Sequence, residues 1–279
     1  MSPDKQDKQD KPRINYVIAT HALNTLRRKE MGDTYATSVL RYHMYILSQT
    51  LTSESNITQI TLVKPDVVDN VGYYNIFPYD KILEEKGIKV EHYSVENKGI
   101  SYTQYLKCFK KYPDFDYYII VEDDYTINIK YKDFDNILVD LHSKTFGDKN
   151  GFLDSWSPRG GLHGLEFHSA ITLGILSKKS VDRLMENLQN IYLDQYQFSL
   201  ELIHRGVPIV DMNQAGFPTR VLYWSTGNVR IEDYSENTSL NLEDVFYTPI
   251  QYYYDKITHF VKSLGRCIEV DNTFGIHNV

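Results

Sequence analysis

The stretch Asp116-Tyr117-Tyr118-Ile119-Ile120-Val121-Glu122-Asp123-Asp124 decides how this chain folds. Its apolar residues follow one another instead of alternating, which marks a strand covered on both faces, as in a parallel sheet between helices. It closes on three adjacent carboxylates. Ligands of open α/β sheets collect beyond the carboxyl ends of the strands, so the acidic end lies where a site is expected. Three neighbouring carboxylates repel one another, and the cluster costs stability unless a cation or solvent screens it. Mg²⁺ and Mn²⁺ suit oxygen ligands, and Mg²⁺ commonly takes one or two carboxylates plus substrate phosphate oxygens. A solvated acidic turn is the plain alternative, because a chain with 24% charged residues forms such clusters by chance.

On either side of this stretch the pattern repeats. Residues 14–19, 57–63 and 88–95 read as strands. Helices fit between them: over 34–50, where Ala36, Val39, Leu40, His43, Ile46 and Leu47 recur at helical spacing behind Asp33; from Pro78 to Gly87; and over 102–112, where Tyr102, Tyr105, Leu106 and Phe109 share a face. Alternating strands and helices imply a layered α/β domain. The second half is less regular. Residues 169–176 are strand-like, Val181, Leu184, Met185, Leu188 and Ile191 define a helix after Ser177, a further helix runs from Gln195 to Arg205 and ends at Gly206, and 207–211 form a strand. Residues 245–264, rich in Tyr and Phe, fit a helix or a packed loop. Residues 1–12 are a polar repeat expected to be a disordered tail.

Composition narrows the function. A net charge of -7 with no Lys/Arg-rich face argues against a nucleic-acid partner. An acidic chain holds a phosphate ligand only where a metal or backbone amide dipoles offset the charge. Cys108 and Cys267 lie far apart without metal-ligand spacing; they read as free thiols of a reducing compartment, with one long-range disulfide as the lesser alternative. No apolar signal region opens the chain and no run of 18 apolar residues occurs, so the expectation is a cytoplasmic protein without a transmembrane segment. Nothing in the sequence fixes an oligomeric state.

The segment Asn97-Lys98-Gly99-Ile100-Ser101, the helix after it and the strand ending Glu122-Asp123-Asp124 together resemble the core of GT-A glycosyltransferases, of the family 2-like, Asp-x-Asp type. The resemblance covers roughly residues 14–212. It implies a GT-A-like fold, a Rossmann-like, mostly parallel sheet flanked by helices, with an acceptor-side extension. It also implies one catalytic domain over 13–279: a nucleotide-sugar half to residue 125, then an acceptor half and C-terminal extension. The activity implied is metal-dependent transfer of a sugar from a nucleoside diphosphate sugar to a hydroxyl of a glycan or glycoconjugate, as in glycan biosynthesis. Mn²⁺ or Mg²⁺ would be held by Glu122 and Asp124, with His277 (or His259) as a further ligand. Glu122 stands where the family has Asp, which lengthens one ligand arm and keeps the chemistry. Thr20, His21, Asp66, Asn97, Lys98, Ser101 and Asp123 would border the nucleotide sugar. Each also fits an ordinary turn or helix-start role.

The resemblance further implies a carboxylate at the start of a downstream helix, acting as general base in inverting enzymes. The family's Glu-Asp pair appears here as Asp194-Gln195, so Asp194 is one candidate and a simple helix cap is its alternative. Asp154 is the second candidate. Near it, Trp156, Arg159, Gly161 and His163 mix an aromatic face with polar groups, as an acceptor sugar requires, although a Gly-rich surface loop has the same make-up. An inverting transferase is the expectation, and a retaining one needs no such base. Two rivals are a sugar-phosphate nucleotidyltransferase, disfavoured by the lack of a Gly-rich loop after residue 20, and a glycan- or nucleotide-binding module that has lost turnover.

Overall fold

The computed structural model describes residues 11–20, 33–66, 77–96, 98, 101–123, 125–127, 133–156, 171–193, 195–211 and 222–224. In chain order the elements are β1 (Ile14–Ala19), α1 (Asp33–Thr50), β2 (Ile57–Pro65), α2 (Phe77–Glu85), β3 (Lys89–Val95), α3 (Ser101–Lys111), β4 (Tyr117–Glu122), β5 (Tyr125–Ile127), α4 (Phe134–Phe146), β6 (Phe152–Trp156), β7 (Ile171–Ser177), α5 (Lys178–Met185), α6 (Gln195–His204), β8 (Ile209–Asp211) and β9 (Leu222–Trp224). Seven strands form one sheet in the order β3-β2-β1-β4-β7-β6-β8, and β5 pairs with β9 apart from it. Within the large sheet β7 runs against its neighbours β4 and β6, and all other pairings are parallel. The result is a mixed α/β fold with a mostly parallel sheet between two helical layers.

The apolar runs explain the layering. Every residue of β1 is buried, as are Tyr118 to Val121 of β4, so both strands need cover on both faces. Side chains alternate between the faces. Ile119 and Val121 join Leu40, Met44 and Leu47 of α1, Leu83 of α2 and Leu138 of α4 in one cluster. Tyr118 and Ile120 join Tyr105 and Phe109 of α3, Leu184 of α5 and Phe198 of α6 in the other. Full burial of one such aliphatic or aromatic side chain stabilises by about 1.5–3 kcal/mol, so these two clusters dominate the energetics of the fold.

Two helix ends are set by glycine. Gly87 (φ 80°) and Gly206 (φ 69°) adopt the left-handed region. After each, the next residue's N–H bonds back across the turn, Ile88 to the Leu83 carbonyl and Val207 to the Leu202 carbonyl, both at a 6→1 spacing that satisfies helix-end carbonyls. Both turns lead the chain straight into a strand, as the sequence pattern implies.

Several elements differ from the sequence expectation. The helix after Ser177 stops at Met185, because Asn187 takes a positive φ of 56°; Leu188 and Ile191 pack on the same cluster from irregular chain. Helix α4 and strand β6 were not anticipated. The buried stripe of α4 includes Asp135 and His142, which breaks its apolar periodicity, and β6 is five residues with Asp154 at its centre. Asp135 earns its burial by accepting from the Asn56 N–H at 2.6 Å, which ties the start of α4 to the start of β2. Among the described residues no helix is long and apolar enough to cross a membrane. Cys108 is a buried free thiol, and burial pushes its pKa up to about 12; Cys267 lies outside the described residues.

Candidate functional site

The crossovers define where a site can form. From β1 the chain passes by α1 to β2 and then to β3 on one side. It returns through α3, on the opposite face, to β4 on the other side of β1. The β1/β4 boundary is therefore the topological switch point, where the crevice of such sheets opens at the carboxyl ends. At that boundary Ala19 pairs with Glu122, and the Asp123 N–H extends the ladder to the Ala19 carbonyl at 3.1 Å.

Glu122 faces α3. Its Oε1 accepts a hydrogen bond from the Ser101 hydroxyl at 2.7 Å, a short, charge-assisted contact. Ser101 is the first residue of α3, so the carboxylate lies beside the positive end of that helix. One turn further, Gln104 clamps the end of β1: its Oε1 accepts from the Thr20 N–H at 3.0 Å and its Nε2 donates to the Thr20 carbonyl at 3.2 Å. The Thr20 hydroxyl donates to the Val63 carbonyl at 3.1 Å. Thr20 is fully buried, so it forms the floor of the crevice and does not face its opening.

Asp123 turns the other way, toward α1, and is only 1% exposed. It acts on His43, whose Nε2 lies 2.9 Å from the Tyr16 hydroxyl. Burial lowers the His43 pKa to about 4, against the opposing pull of the Asp123 carboxylate and backbone, so the ring is neutral at pH 7. The carboxylates of residues 122 and 123 thus belong to opposite faces, as strand alternation requires. They do not form one three-carboxylate patch.

The neighbouring strand ends add further groups. Asp66 is exposed at the end of β2, with its N–H on the Val95 carbonyl at 2.7 Å. Lys98 is exposed and ion-paired with Glu96; the pairing lowers the Glu96 pKa and raises that of Lys98, both in full solvent. Tyr192 leans over this loop, 40% exposed, its hydroxyl donating to Glu96 at 3.3 Å and its ring 5.9 Å from the Lys98 ammonium. Because α6 leads back to β8, which runs parallel to β6, α6 starts at the carboxyl edge. There Phe198 of its first turn packs 5.2 Å from Tyr102 in the first turn of α3. Asp154 is 1% exposed and shares its register row with Gly174 and Asp211. It lies on the face of Phe152, the α3/α6 side, which is also the side of Glu122. By strand spacing the two Cα atoms are roughly 12 Å apart.

Asp124, Asn97, His21, Asp194, Arg159, Gly161, His163, His259 and His277 lie outside the described residues, and Trp156 is described in its backbone alone, as the last residue of β6. Among the described residues no three His, Cys, Asp or Glu side chains are grouped to hold a metal ion. The donor chemistry nevertheless suits a hard divalent cation: Glu122 offers carboxylate oxygen at the switch point, Asp124 is two residues further on, and the neutral His43 behind them adds no competing positive charge. Gln104, Tyr192 and Tyr16 were not singled out in the sequence, and His43 only as a member of a helical stripe. The available signal was a polar residue set in an apolar helical stripe, which His43 and Gln104 both are. An open groove of about 1080 Å³ lies at the amino edge, lined by Arg13, Asn56, Asp116, His142 and Lys178 among others. It is remote from the strand ends on which the crossover loops converge, and it carries both charge signs.

No family model matches the chain, and no curated protein matches it. Solved structures that resemble it include a protein from Bacillus anthracis assigned as a glucose-1-phosphate thymidylyltransferase, in complex with a sucrose (12% identity, 79% of this chain and 92% of that one, TM-score 0.48). Others are the inositol-1-phosphate CTP transferase from T. maritima (15%, 72% and 86%, 0.44) and a mannosyltransferase from Pyrobaculum calidifontis in complex with GDP-Man and Mn²⁺ (9%, 73% and 55%, 0.48). All three scores lie below 0.5, so the reading of the site rests on this chain's own residues.

Proposed function

We propose that the chain is a metal-dependent enzyme that uses a nucleoside diphosphate sugar, and within that class an inverting glycosyltransferase of GT-A type acting on a glycan or glycoconjugate hydroxyl. The observation that carries this is the place of Glu122: at the carboxyl end of a buried parallel strand, at the switch point, and bonded to the first residue of the helix that crosses to it. Glu122 and Asp124 would hold Mn²⁺ or Mg²⁺, with His277 as a further ligand. When bound, such an ion neutralises charge on a leaving diphosphate as a Lewis acid.

The chain's own groups have separable tasks. Glu122 is oriented by Ser101, so its arm is fixed before any ligand arrives. Asp66 and Lys98, exposed after β2 and β3, would with Asn97 and His21 border the crevice and contact base, ribose or phosphate. Thr20 and Asp123 take supporting places, since both are buried. On the acceptor side, Asp154 or Asp194 would take the proton from the acceptor hydroxyl as its oxygen attacks the anomeric carbon and the diphosphate departs. Asp154 stands on the Glu122 side of the sheet, and Asp194 immediately precedes α6, which starts at the same edge. A base must come within about 3 Å of its proton, so acceptor binding has to bring the hydroxyl to one of them. Trp156, Arg159, Gly161 and His163 would line the acceptor position.

Product analysis tests this reading. With nucleoside diphosphate sugars and Mn²⁺, release of free nucleoside diphosphate with sugar on an acceptor or on water supports it. Pyrophosphate release from a nucleoside triphosphate and a sugar phosphate would make the chain a nucleotidyltransferase. Tight binding without any product would make it a binding module.

A further inference from the structure

We propose that the α3 side of edge strand β3 is a lysine–tyrosine face that seats the protein on an anionic membrane surface. This holds whatever donor or metal the crevice takes.

No Lys/Arg-rich stretch is visible in the sequence, yet folding gathers a cationic face on a chain whose net charge is -7. Helix α3 carries no acidic residue, and Lys107, Lys110 and Lys111, at i, i+3 and i+4, share one side of it. β3 is the edge strand of the sheet, and its Lys89, Glu91 and Tyr93 fall on the same face as Val95, which packs in the α3 layer. Lys111 lies over the Tyr93 ring, 4.0 Å from its centroid, and 5.3 Å from that of Tyr112. One turn earlier, Lys107 lies 5.4 Å from the Tyr192 ring, which Lys98 approaches to 5.9 Å. Two carboxylates stand among these groups. Glu91 pairs with Lys89 and accepts from the Tyr112 hydroxyl at 3.3 Å. Glu96 pairs with Lys98 and accepts from the Tyr192 hydroxyl at 3.3 Å. Lysines 89, 98, 107, 110 and 111 outnumber them, so the face stays positive; Asp114 and Asp116 lie beyond it, along the amino-edge groove.

The kind of cation selects the partner. No arginine takes part. Shaped phosphate ligands and nucleic acids favour arginine's planar fork, whereas lysine is a point charge on a flexible stem and suits a diffuse field such as that of an anionic leaflet. Lysine stems beside tyrosine rings, with ammonium and hydroxyl groups at their ends, have the amphipathic make-up of a membrane interface. Lys98, Lys110 and Lys111 are exposed, and Tyr192 is 40% exposed. Among the described residues no aliphatic side chain of this face is exposed for insertion, so the attraction is mainly electrostatic and must weaken with salt.

The test is co-sedimentation of the full chain with phosphatidylcholine vesicles, with and without phosphatidylserine, with melting temperature as the control for fold. Lys107→Gln combined with Lys111→Gln removes two charges from the face. Lys110→Gln combined with Lys111→Gln does the same without touching the Tyr192 contact, should the first pair loosen the fold. Lys144→Gln combined with Lys149→Gln removes two exposed charges from the opposite helical layer, in and just after α4. A lysine near an anionic leaflet is worth roughly fivefold in binding, so either face pair should lose about 10-fold or more. The expected result is binding to the phosphatidylserine vesicles alone, that loss in the face pairs, no change in the α4 pair, and release as salt rises from about 0.1 M to about 1 M. Failure of the unaltered chain to bind phosphatidylserine vesicles would overturn the proposal, and binding to polyglutamate or a DNA oligonucleotide instead would hand the face to another anion. Equal binding to neutral vesicles, or an equal loss in the α4 pair, would overturn it as well.

Discussion

At the residue scale, the decisive pair is Glu122 and Ser101. Glu122 accepts a charge-assisted bond from Ser101 beside the positive end of α3, so neutralising it weakens that contact when no cation is present. Glu122→Gln should therefore slightly lower the melting temperature in chelator and abolish any Mn²⁺-dependent rise; calorimetry with and without metal reads both. Gln104 is structural by contrast. Gln104→Leu removes two side-chain bonds to Thr20, whose N–H keeps the Val63 carbonyl at 2.9 Å, and should cost about 1–2 kcal/mol in urea unfolding, the usual net worth of such bonds. The acidic cluster was legible in the sequence; its division between two faces was not. Strand alternation separates Glu122 from Asp123, but whether the chain stays extended past Val121 depends on the Asp123 N–H finding the Ala19 carbonyl, which is a tertiary fact.

At the scale of elements, β7 and β6 show how one missing side chain makes room for another. A Cβ on Gly174 would collide with the Phe152 ring on the adjacent strand. Gly174→Ala should destabilise by about 1–3 kcal/mol through overpacking. Combining it with Phe152→Leu should recover part of that loss, a coupling that a double-mutant cycle measures. The first four strands and three helices could be read from the chain because their apolar residues recur at a clear period and two of their ends are marked by Pro65 and Gly87. Strand β6 could not, since its buried Asp154 and short length imitate a loop. Helix α4 was hidden by Asp135 and His142 in its core stripe, whose partners, Asn56 and Gly151, lie just before β2 and β6.

At the scale of the whole molecule, stability should depend on pH through buried histidines. His43 has its pKa lowered from 6.5 to about 4 by burial, and burial lowers that of His142 too. Between these values the unfolded chain binds protons that the folded chain excludes. Their contribution is complete above about pH 6.5 and is lost as pH falls toward 4. Asp135, whose pKa burial raises, works in the opposite sense, because protonating it at low pH relieves a buried charge. The histidine effect is larger: His43 alone is worth on the order of 2 kcal/mol between pH 7.5 and 5. Melting in chelator should show a steady fall over that range, flattened in His142→Gln. The layered fold and its carboxyl-edge crevice were legible from the alternation of elements. On the acceptor side strand β6 around Asp154 was not legible, and Arg159, Gly161, His163 and Asp194 lie outside the described residues.

Thermal stabilisation by nucleoside diphosphates and their sugars, with Mn²⁺, with Mg²⁺ and with chelator, tests the central claim most directly. A ligand at about 100 times its dissociation constant adds about 2.7 kcal/mol, readily seen as a melting shift. The expected result is a metal-dependent rise with one nucleotide family, lost in Glu122→Gln and Asp124→Ala. No shift with any nucleotide, in a chain that melts cooperatively, would contradict it.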